Sequence, residues 1–258
     1  MAPELQITFL GTGTSQGVPV IACPCAICKS MDPRDVRMRS SVMIESEGKR
    51  VVIDTGPDFR QQMLVHQVKS IDGIVFTHEH KDHIAGLDEV RAFNYFNQWR
   101  AQVYCTSKVE EALKREFAYA FAETKYPGIP EIDLNIIENR PFEVAGLPFC
   151  PIEVRHMFMP VFGYRVGNFS YITDANYISD EEKSKLQGTD VLVLNALRIE
   201  KHPSHFTLDE AIELAHEIGA RSTYFTHISH QLGSHEAVEQ NLPEGMRLAF
   251  DGLVVHCN

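Results

Sequence analysis

The sequence predicts an α/β protein in which two mixed β-sheets pack face to face with helices outside, a four-layer αββα sandwich. Three observations predict it. Strand-like segments come in adjacent pairs near the N-terminus, strands and helices alternate after that, and no repeat, low-complexity tract or linker divides the 258 residues. A single domain over 1–258 is therefore the simplest reading.

Taken in order, strands are expected at 5–10, 41–45, 51–53, 73–76, 102–105 and 134–137, then at 149–154, 164–166, 169–172, 191–194, 222–225, 248–250 and 253–256. β-Branched and aromatic residues fill these segments, and Gly, Pro or Asp punctuates them. Helices fit 59–67, 87–98, 109–121, 180–186 and 208–218. Ser179 with Glu182, and Thr207 with Glu210, have the spacing of capping boxes, in which two side chains satisfy two free N–H groups reciprocally. The last helix carries an apolar stripe of Leu208, Ala211, Ile212, Ala215 and Ile218 and stops at Gly219. The segment 124–130 fits neither period and is read as a substrate-facing insertion. Phe93, Tyr95, Phe96 and Trp99 have the spacing of helix core; Met157, Phe158, Met159 and Phe162 are expected to border the site described next.

Composition narrows the function. Hydrophobic residues make up 44% and charged residues 23%, as in ordinary globular proteins. No run of eighteen apolar residues occurs and the N-terminus lacks a basic stretch with an apolar core, so the expectation is a cytoplasmic protein without a membrane partner. A net charge of −11 argues against extended nucleic-acid contacts, which need clustered Lys and Arg. It leaves room for a small anionic substrate, because bound divalent cations reverse the local potential. The oligomeric state is left open, a homodimer included.

The chemistry is concentrated after the strand at 73–76, in Thr77-His78-Glu79-His80-Lys81-Asp82-His83. In an extended segment His78 and His80 point the same way and can share one ion, while Asp82 and His83 address a second one where the chain turns. A second cluster, Cys23-Pro24-Cys25-Ala26-Ile27-Cys28, places three thiols in a loop at about 23–28. Without a secretory signal that clustering favours a metal over disulfides. Its fourth ligand has four candidates: Cys105, Cys150, Cys257 and His230.

His-x-His-x-Asp-His, with Asp54-Thr55-Gly56 before it, Gly86 after it and the opening Phe9-Leu10-Gly11-Thr12-Gly13, resembles the metallo-β-lactamase-fold hydrolases. The Cys loop, Asp54-Thr55-Gly56-Pro57-Asp58-Phe59-Arg60 and His202-Pro203-Ser204-His205 resemble the PhnP-like phosphodiesterases within that superfamily. The resemblance implies further ligands in chain order at His156, Asp174 and His227, each following a predicted strand. It implies one ion on His78, His80 and His156, another on Asp82, His83 and His227, and Asp174 between them. Zn, Mn and Fe all suit such a mixed shell. It also implies Asp54 as a hydrogen-bond partner of a ligating histidine, His230 as the fourth ligand of a structural zinc, and His205, rather than His202, as general acid.

The function so implied is hydrolysis of a small phosphodiester, cyclic nucleotides and cyclic sugar phosphates included, through a two-metal centre and a bridging hydroxide. Other members of the superfamily set the alternatives: a ribonuclease Z-like nuclease, a lactonase or thioesterase, or a non-catalytic partner in cofactor biosynthesis. The Pro57-Asp58-Phe59-Arg60 loop and the acidic balance depart from ribonuclease Z.

Overall fold

The computed structural model describes residues 4–124 and 126–257. The chain runs β1 (Leu5–Gly11), β2 (Ser41–Ser46), β3 (Lys49–Ile53), α1 (Phe59–Val65), β4 (Gly73–Val75), α2 (Lys81–Ile84), α3 (Arg91–Asn97), β5 (Ala101–Cys105), α4 (Ser107–Glu116), α5 (Ala118–Phe121) and β6 (Ile132–Ile136). It continues through β7 (Phe142–Val144), β8 (Leu147–His156), β9 (Met159–Val166), β10 (Phe169–Tyr171), β11 (Tyr177–Ile178), α6 (Asp180–Ser184), β12 (Val191–Asn195), α7 (Leu208–Ile218), β13 (Ser222–Thr226), α8 (His235–Glu239), β14 (Met246–Leu248) and β15 (Val254–Cys257).

Two mixed sheets result, ordered β15-β1-β2-β3-β4-β5-β6 and β11-β8-β9-β10-β12-β13-β14, with β7 paired to β8. Three apolar clusters hold four layers together. Phe9, Ile44 and Ile53 of the first sheet meet Tyr164, Phe169 and Val193 of the second. Val52, Ile74 and Val103 on the outer face of the first sheet pack on Phe59, Phe93 and Leu113 of the helices. Leu192, Leu194 and Phe225 on the outer face of the second pack on Ala211, Leu214 and Ala215 of α7. This is the αββα sandwich of the metallo-β-lactamase fold. Among the described residues no helix is long and apolar enough to cross a membrane.

The differences from expectation have local causes. β9 starts five residues earlier than the predicted 164, at Met159, because Pro160 and Gly163 hide it in sequence, while its pairing with β8 runs unbroken from Phe149↔Val166 to His156↔Met159. A Cβ at Gly163 would lie 2.7 Å from Tyr171 O, so the close approach of β10 requires glycine. The predicted helix 87–98 is a 3-10 turn at Leu87–Val90 followed by α3, and 109–121 breaks at Phe117. β7, β11, α2 and α8 went unpredicted, being too short to show a period. Thr207 and Glu210 form a full capping box. Ser179 forms only half of one, because Glu182 is drawn instead to Glu153 N, Asn139 and Lys185.

Aromatic placement also departs from the helix-core expectation: Phe93 is buried, whereas Tyr95 and Phe96 are exposed. Phe162, expected at the site, belongs to the core between the sheets. Of the 124–130 segment, Lys125 lies outside the described residues, and Gly128 and Ile129 line a groove with Tyr95 and Phe96 that contains none of the clustered histidines.

Candidate metal centre

Parallel pairing of β3 with β4, of β10 with β12 and of β12 with β13 brings several strand ends to one edge of the sandwich. Ligands of α/β proteins gather at such carboxyl ends. Asp54 follows β3, His78 follows β4, Asp174 follows β10, His227 follows β13, and His156 ends β8. Asp54, Asp174 and His227 all take left-handed backbone conformations, with φ of 65°, 55° and 56°. Such φ values are uncommon outside glycine and mark positions where side-chain direction outweighs backbone comfort.

The loop after β4 is clamped before it turns into α2. Thr55 N donates to His83 O at 2.8 Å and Gly86 N to Thr55 O at 2.8 Å. A Cβ at Gly56 would come within 2.1 Å of Asp82 O, and one at Gly86 within 2.1 Å of Gly56 O. Both glycines therefore permit a backbone contact that fixes the height of Asp82 and His83.

Asp54 organises this loop. Its carboxylate accepts from Thr77 N (2.9 Å) and Thr77 Oγ1 (2.8 Å) and lies 2.7 Å from His83 Nδ1. With Nδ1–H donated there, His83 Nε2 is turned toward Asp82 Oδ2 and Asp174 Oδ2, 3.2 Å from each. His227 Nδ1 is also 3.2 Å from Asp174 Oδ2, and its Nε2 faces Thr14 Oγ1 at 3.4 Å. Donors bound to one ion at about 2.0–2.2 Å and a tetrahedral angle stand roughly 3.3–3.6 Å apart. The spacing of Asp82, His83, Asp174 and His227 is close to that figure, and their ligand atoms all fall within 4.8 Å of one another.

Beside this group stand three more imidazoles. The ring centroids of His78, His80 and His156 are 4.6 to 5.6 Å apart. His156 Nδ1 donates to Ser204 O at 3.0 Å, which leaves Nε2 as the free acceptor. His78 Nε2 and His83 Nε2 are buried with no hydrogen-bond partner. Buried polar atoms are normally satisfied, so these two imidazole nitrogens, with carboxylate oxygens of Asp82 and Asp174 3.2 Å from His83 Nε2, fit a cation.

Electrostatics point the same way. Burial holds His78 and His227 below the ordinary histidine range, keeping their lone pairs available. Burial also opposes charge on His83, but Asp82, Asp174 and Asp54 outweigh it and hold the metal-free imidazole well above that range. Against the cost of burial, His83 and His227 keep Asp82 and Asp174 ionised. His205 borders both groups. Its ring lies 4.7 Å from that of His156 and 4.9 Å from that of His227, and Nδ1 is 3.8 Å from Asp174 Oδ1, buried and unpartnered. Its donor is within 4.8 Å of those of His156 and Asp174, and burial pushes its pKa down to about 3. His202 sits outside it, half-exposed, with Nδ1 3.2 Å from Ser204 Oγ.

The thiols of Cys23, Cys25 and Cys28 converge on His230, all four donors within 4.8 Å. His230 Nδ1 is 3.4 Å from Cys23 Sγ and 3.3 Å from Cys25 Sγ; the latter contact, with the N–H of Cys28, pulls the Cys25 thiol down to about 6. Cys105 and Cys257 are buried in the two cores of the first sheet, and Cys150 lies on β8, so of the four candidate partners only His230 joins the loop. The two clusters are coupled through the backbone: Ile228 N donates to Thr12 O and Thr14 N to Ile228 O. Sequence reasoning missed Thr14, Ser40, Thr77 and Ser204 as histidine partners. Small hydroxyl residues carry no spacing signal; only the fold brings Ser40 Oγ to 3.2 Å from His227 Nδ1.

The pattern of the Beta-lactamase superfamily domain matches residues 49–228, a stretch that holds every histidine and aspartate of the larger cluster. The chain belongs to that family. The crystal structure of a new diphosphatase from the PhnP family is 43% identical, with a TM-score of 0.91 and 97% of each chain covered. Zinc-bound PqqB from Methylobacterium extorquens shares the fold at 19% identity and a TM-score of 0.79, over 97% of this chain and 99% of that one. Among curated proteins, an octanoyltransferase of Porphyromonas gingivalis is 36% identical over 252 residues, 96% of this chain and 51% of the relative. The chain thus spans about half the length of that relative.

Proposed function

We propose that the chain is a metal-dependent hydrolase of small phosphodiesters, cyclic ones included, with a dinuclear centre and a separate structural zinc. His78, His80 and His156 would hold one ion and Asp82, His83 and His227 the other, with Asp174 shared; Cys23, Cys25, Cys28 and His230 would hold the zinc. Zn, Mn and Fe each fit the catalytic donors. Bound ions there would supply Lewis acidity, lowering the pKa of a water and offsetting charge on phosphoryl oxygens. The chain's own groups do the rest. Asp54 fixes the tautomer and aim of His83, and Ser204 O does so for His156.

The observation that carries the reading is His205. It is a buried imidazole beside both ligand groups, its Nδ1 has no hydrogen-bond partner, and its donor lies within 4.8 Å of those of His156 and Asp174. An imidazole there can donate a proton to a departing alkoxide, a need that alkyl esters of phosphoric acid have and nitrophenyl esters lack. Burial keeps it neutral in the free site, and an incoming phosphoryl anion is the group that favours its protonation.

A second reading is hydrolysis of a diphosphate, favoured by the 43% identity to the PhnP-family diphosphatase. There the leaving phosphate departs as a stable anion and His205 would orient it. The net charge of −11 disfavours the ribonuclease Z reading, and the full ligand set disfavours a non-catalytic partner. A panel of a cyclic diester, a diphosphate diester, a phosphomonoester, a thioester and a lactone tests these together. The proposal expects turnover of the cyclic diester and none of the monoester. Faster turnover of the thioester or lactone than of either phosphorus diester would overturn it.

A further inference from the structure

The hairpin between β8 and β9 is closed by a turn whose residues contradict its conformation. Pairing runs unbroken to His156↔Met159, so Met157 and Phe158 alone make the turn. Met157 has φ 59° and Phe158 is not among the residues with positive φ, the combination of a type II′ turn. Glycine is the residue such a turn favours at its first central position, where a side chain is strained. Here a methionine holds that position, 44% exposed, and the phenylalanine after it is 88% exposed, the most exposed aromatic among the described residues. Strain of this kind clusters at active sites and ligand clamps.

The turn stands at the open side of the candidate metal centre. His78, His83 and His227 are buried, whereas His80 is exposed, so the donors meet water on the His80 side. The His80 ring lies 5.0 Å from that of His156, the residue from which the turn departs. The His156 ring is in turn 4.7 Å from that of His205, the candidate general acid. Phe158 is two residues beyond His156, within about 7 Å of it along the chain, so a group held at the metal centre is in its reach. The turn is also held still. Met157 N donates to Asn176 Oδ1 and Asn176 N to Arg155 O, both at 2.8 Å. Asn195 then fixes Ala175 through its N–H (2.8 Å) and its carbonyl (2.9 Å), which ties the turn to the loop carrying Asp174. An apolar face fixed in this way takes a ligand at little ordering cost. A two-residue tip offers a face rather than a channel. A flat ring stacks on such a face, and a thioether beside it adds a favourable sulfur contact, whereas an acyl chain needs walls on several sides.

We propose that Phe158, with Met157 beside it, is the stacking platform for the base of a nucleotide-type phosphodiester. The two residues then set the specificity of the reaction proposed above, and the inference rests on that reading for its phosphoryl anchor. Calorimetry on the metal-loaded chain compares adenosine 5′-monophosphate with ribose 5-phosphate, which share the sugar and the phosphate. The nucleotide should bind about 5- to 150-fold more tightly, the equivalent of about 1–3 kcal/mol for a base stacked on an aromatic side chain. Phe158→Ala should bring the two affinities together, and Phe158→Trp should keep them apart. Circular dichroism and bound-metal content check that each variant is folded, and Phe158→Leu, which keeps bulk without a π face, serves if Phe158→Ala is not. For a base-bearing diester that the chain turns over, the loss in Phe158→Ala should fall in KM rather than in kcat. Equal affinity of the wild type for both probes overturns the inference, as does a preference that the folded Ala or Leu variant keeps. So does binding to phosphatidylcholine vesicles that depends on Phe158 while the nucleotide preference does not. A preference lost in Phe158→Ala, in a chain that turns over no phosphorus diester, upholds the platform and removes the proposed reaction.

Discussion

Replacing Asp54 with Asn removes a charge while leaving shape and backbone nearly unchanged, because Asn is among the few residues that tolerate the left-handed conformation at φ 65°. The carboxylate takes three donors: Thr77 N, Thr77 Oγ1 and His83 Nδ1. An amide offers one oxygen. Whichever way it is turned, its NH₂ faces a donor, and one fully buried donor loses its acceptor. That costs about 1–3 kcal/mol in the metal-free protein. At roughly 2–4 °C per kcal/mol for a chain of this size, the chelated protein should melt a few to about ten degrees lower. With the NH₂ turned toward Nδ1, the ring of His83 also loses the acceptor that aims it between Asp82 and Asp174. Loss of such a partner typically weakens metal binding 10- to 100-fold. Thermal melts in chelator and competition titrations with a chromophoric chelator read the two effects separately. A lower melting temperature with unchanged metal affinity would show that Asp54 only supports the loop; if neither moves, the hydrogen-bond argument for the whole site fails.

Three further predictions concern the two candidate metal sites and His205. Asp174→Ala should lose the N/O-bound ions and keep the thiolate-bound zinc, while Cys25→Ser should lose zinc and melt lower; unchanged zinc and stability in Cys25→Ser would refute the Cys-loop site. His205→Ala should retain its metals and most activity on a nitrophenyl diester, yet lose 10²–10⁴-fold on a diester with an alkyl or ribose leaving group. Equal losses on both substrates would instead assign His205 to binding phosphate or metal. In the chelated protein His205 has a folded pKa of about 3 against an ordinary 6.5, so the unfolded chain binds the extra proton between those values. Stability then falls as pH drops below about 6.5, by up to about 1.4 kcal/mol per pH unit for one proton. His205→Gln removes that slope, so its melting temperature should gain on the wild type between pH 7 and pH 5; a constant difference would refute the burial argument.

Much of this was legible in residue order because the chemistry is local. His78, His80, Asp82 and His83 lie within six residues, and Cys23, Cys25 and Cys28 within another six, so a single turn of chain suffices to gather each set. Long apolar segments such as β1, β12 and α7 announced themselves by period and caps, which act over a few residues. His156, Asp174, His205, His227 and His230 carried no such signal: they lie up to 152 positions from His78, and resemblance alone placed them in sequence order. Parallel pairing of β10, β12 and β13 decided where Asp174 and His227 meet. The hydroxyls and carbonyls that aim the imidazoles, among them Ser40 and Ser204 O, were settled only in three dimensions, since hydrogen bonds across 187 and 48 positions leave no trace in spacing. The same holds for Tyr95 and Phe96, whose spacing suited a helix core. Which face of α3 meets the sheet is set by Phe93 and its neighbours in the packed layers, and that choice leaves the two aromatics outside.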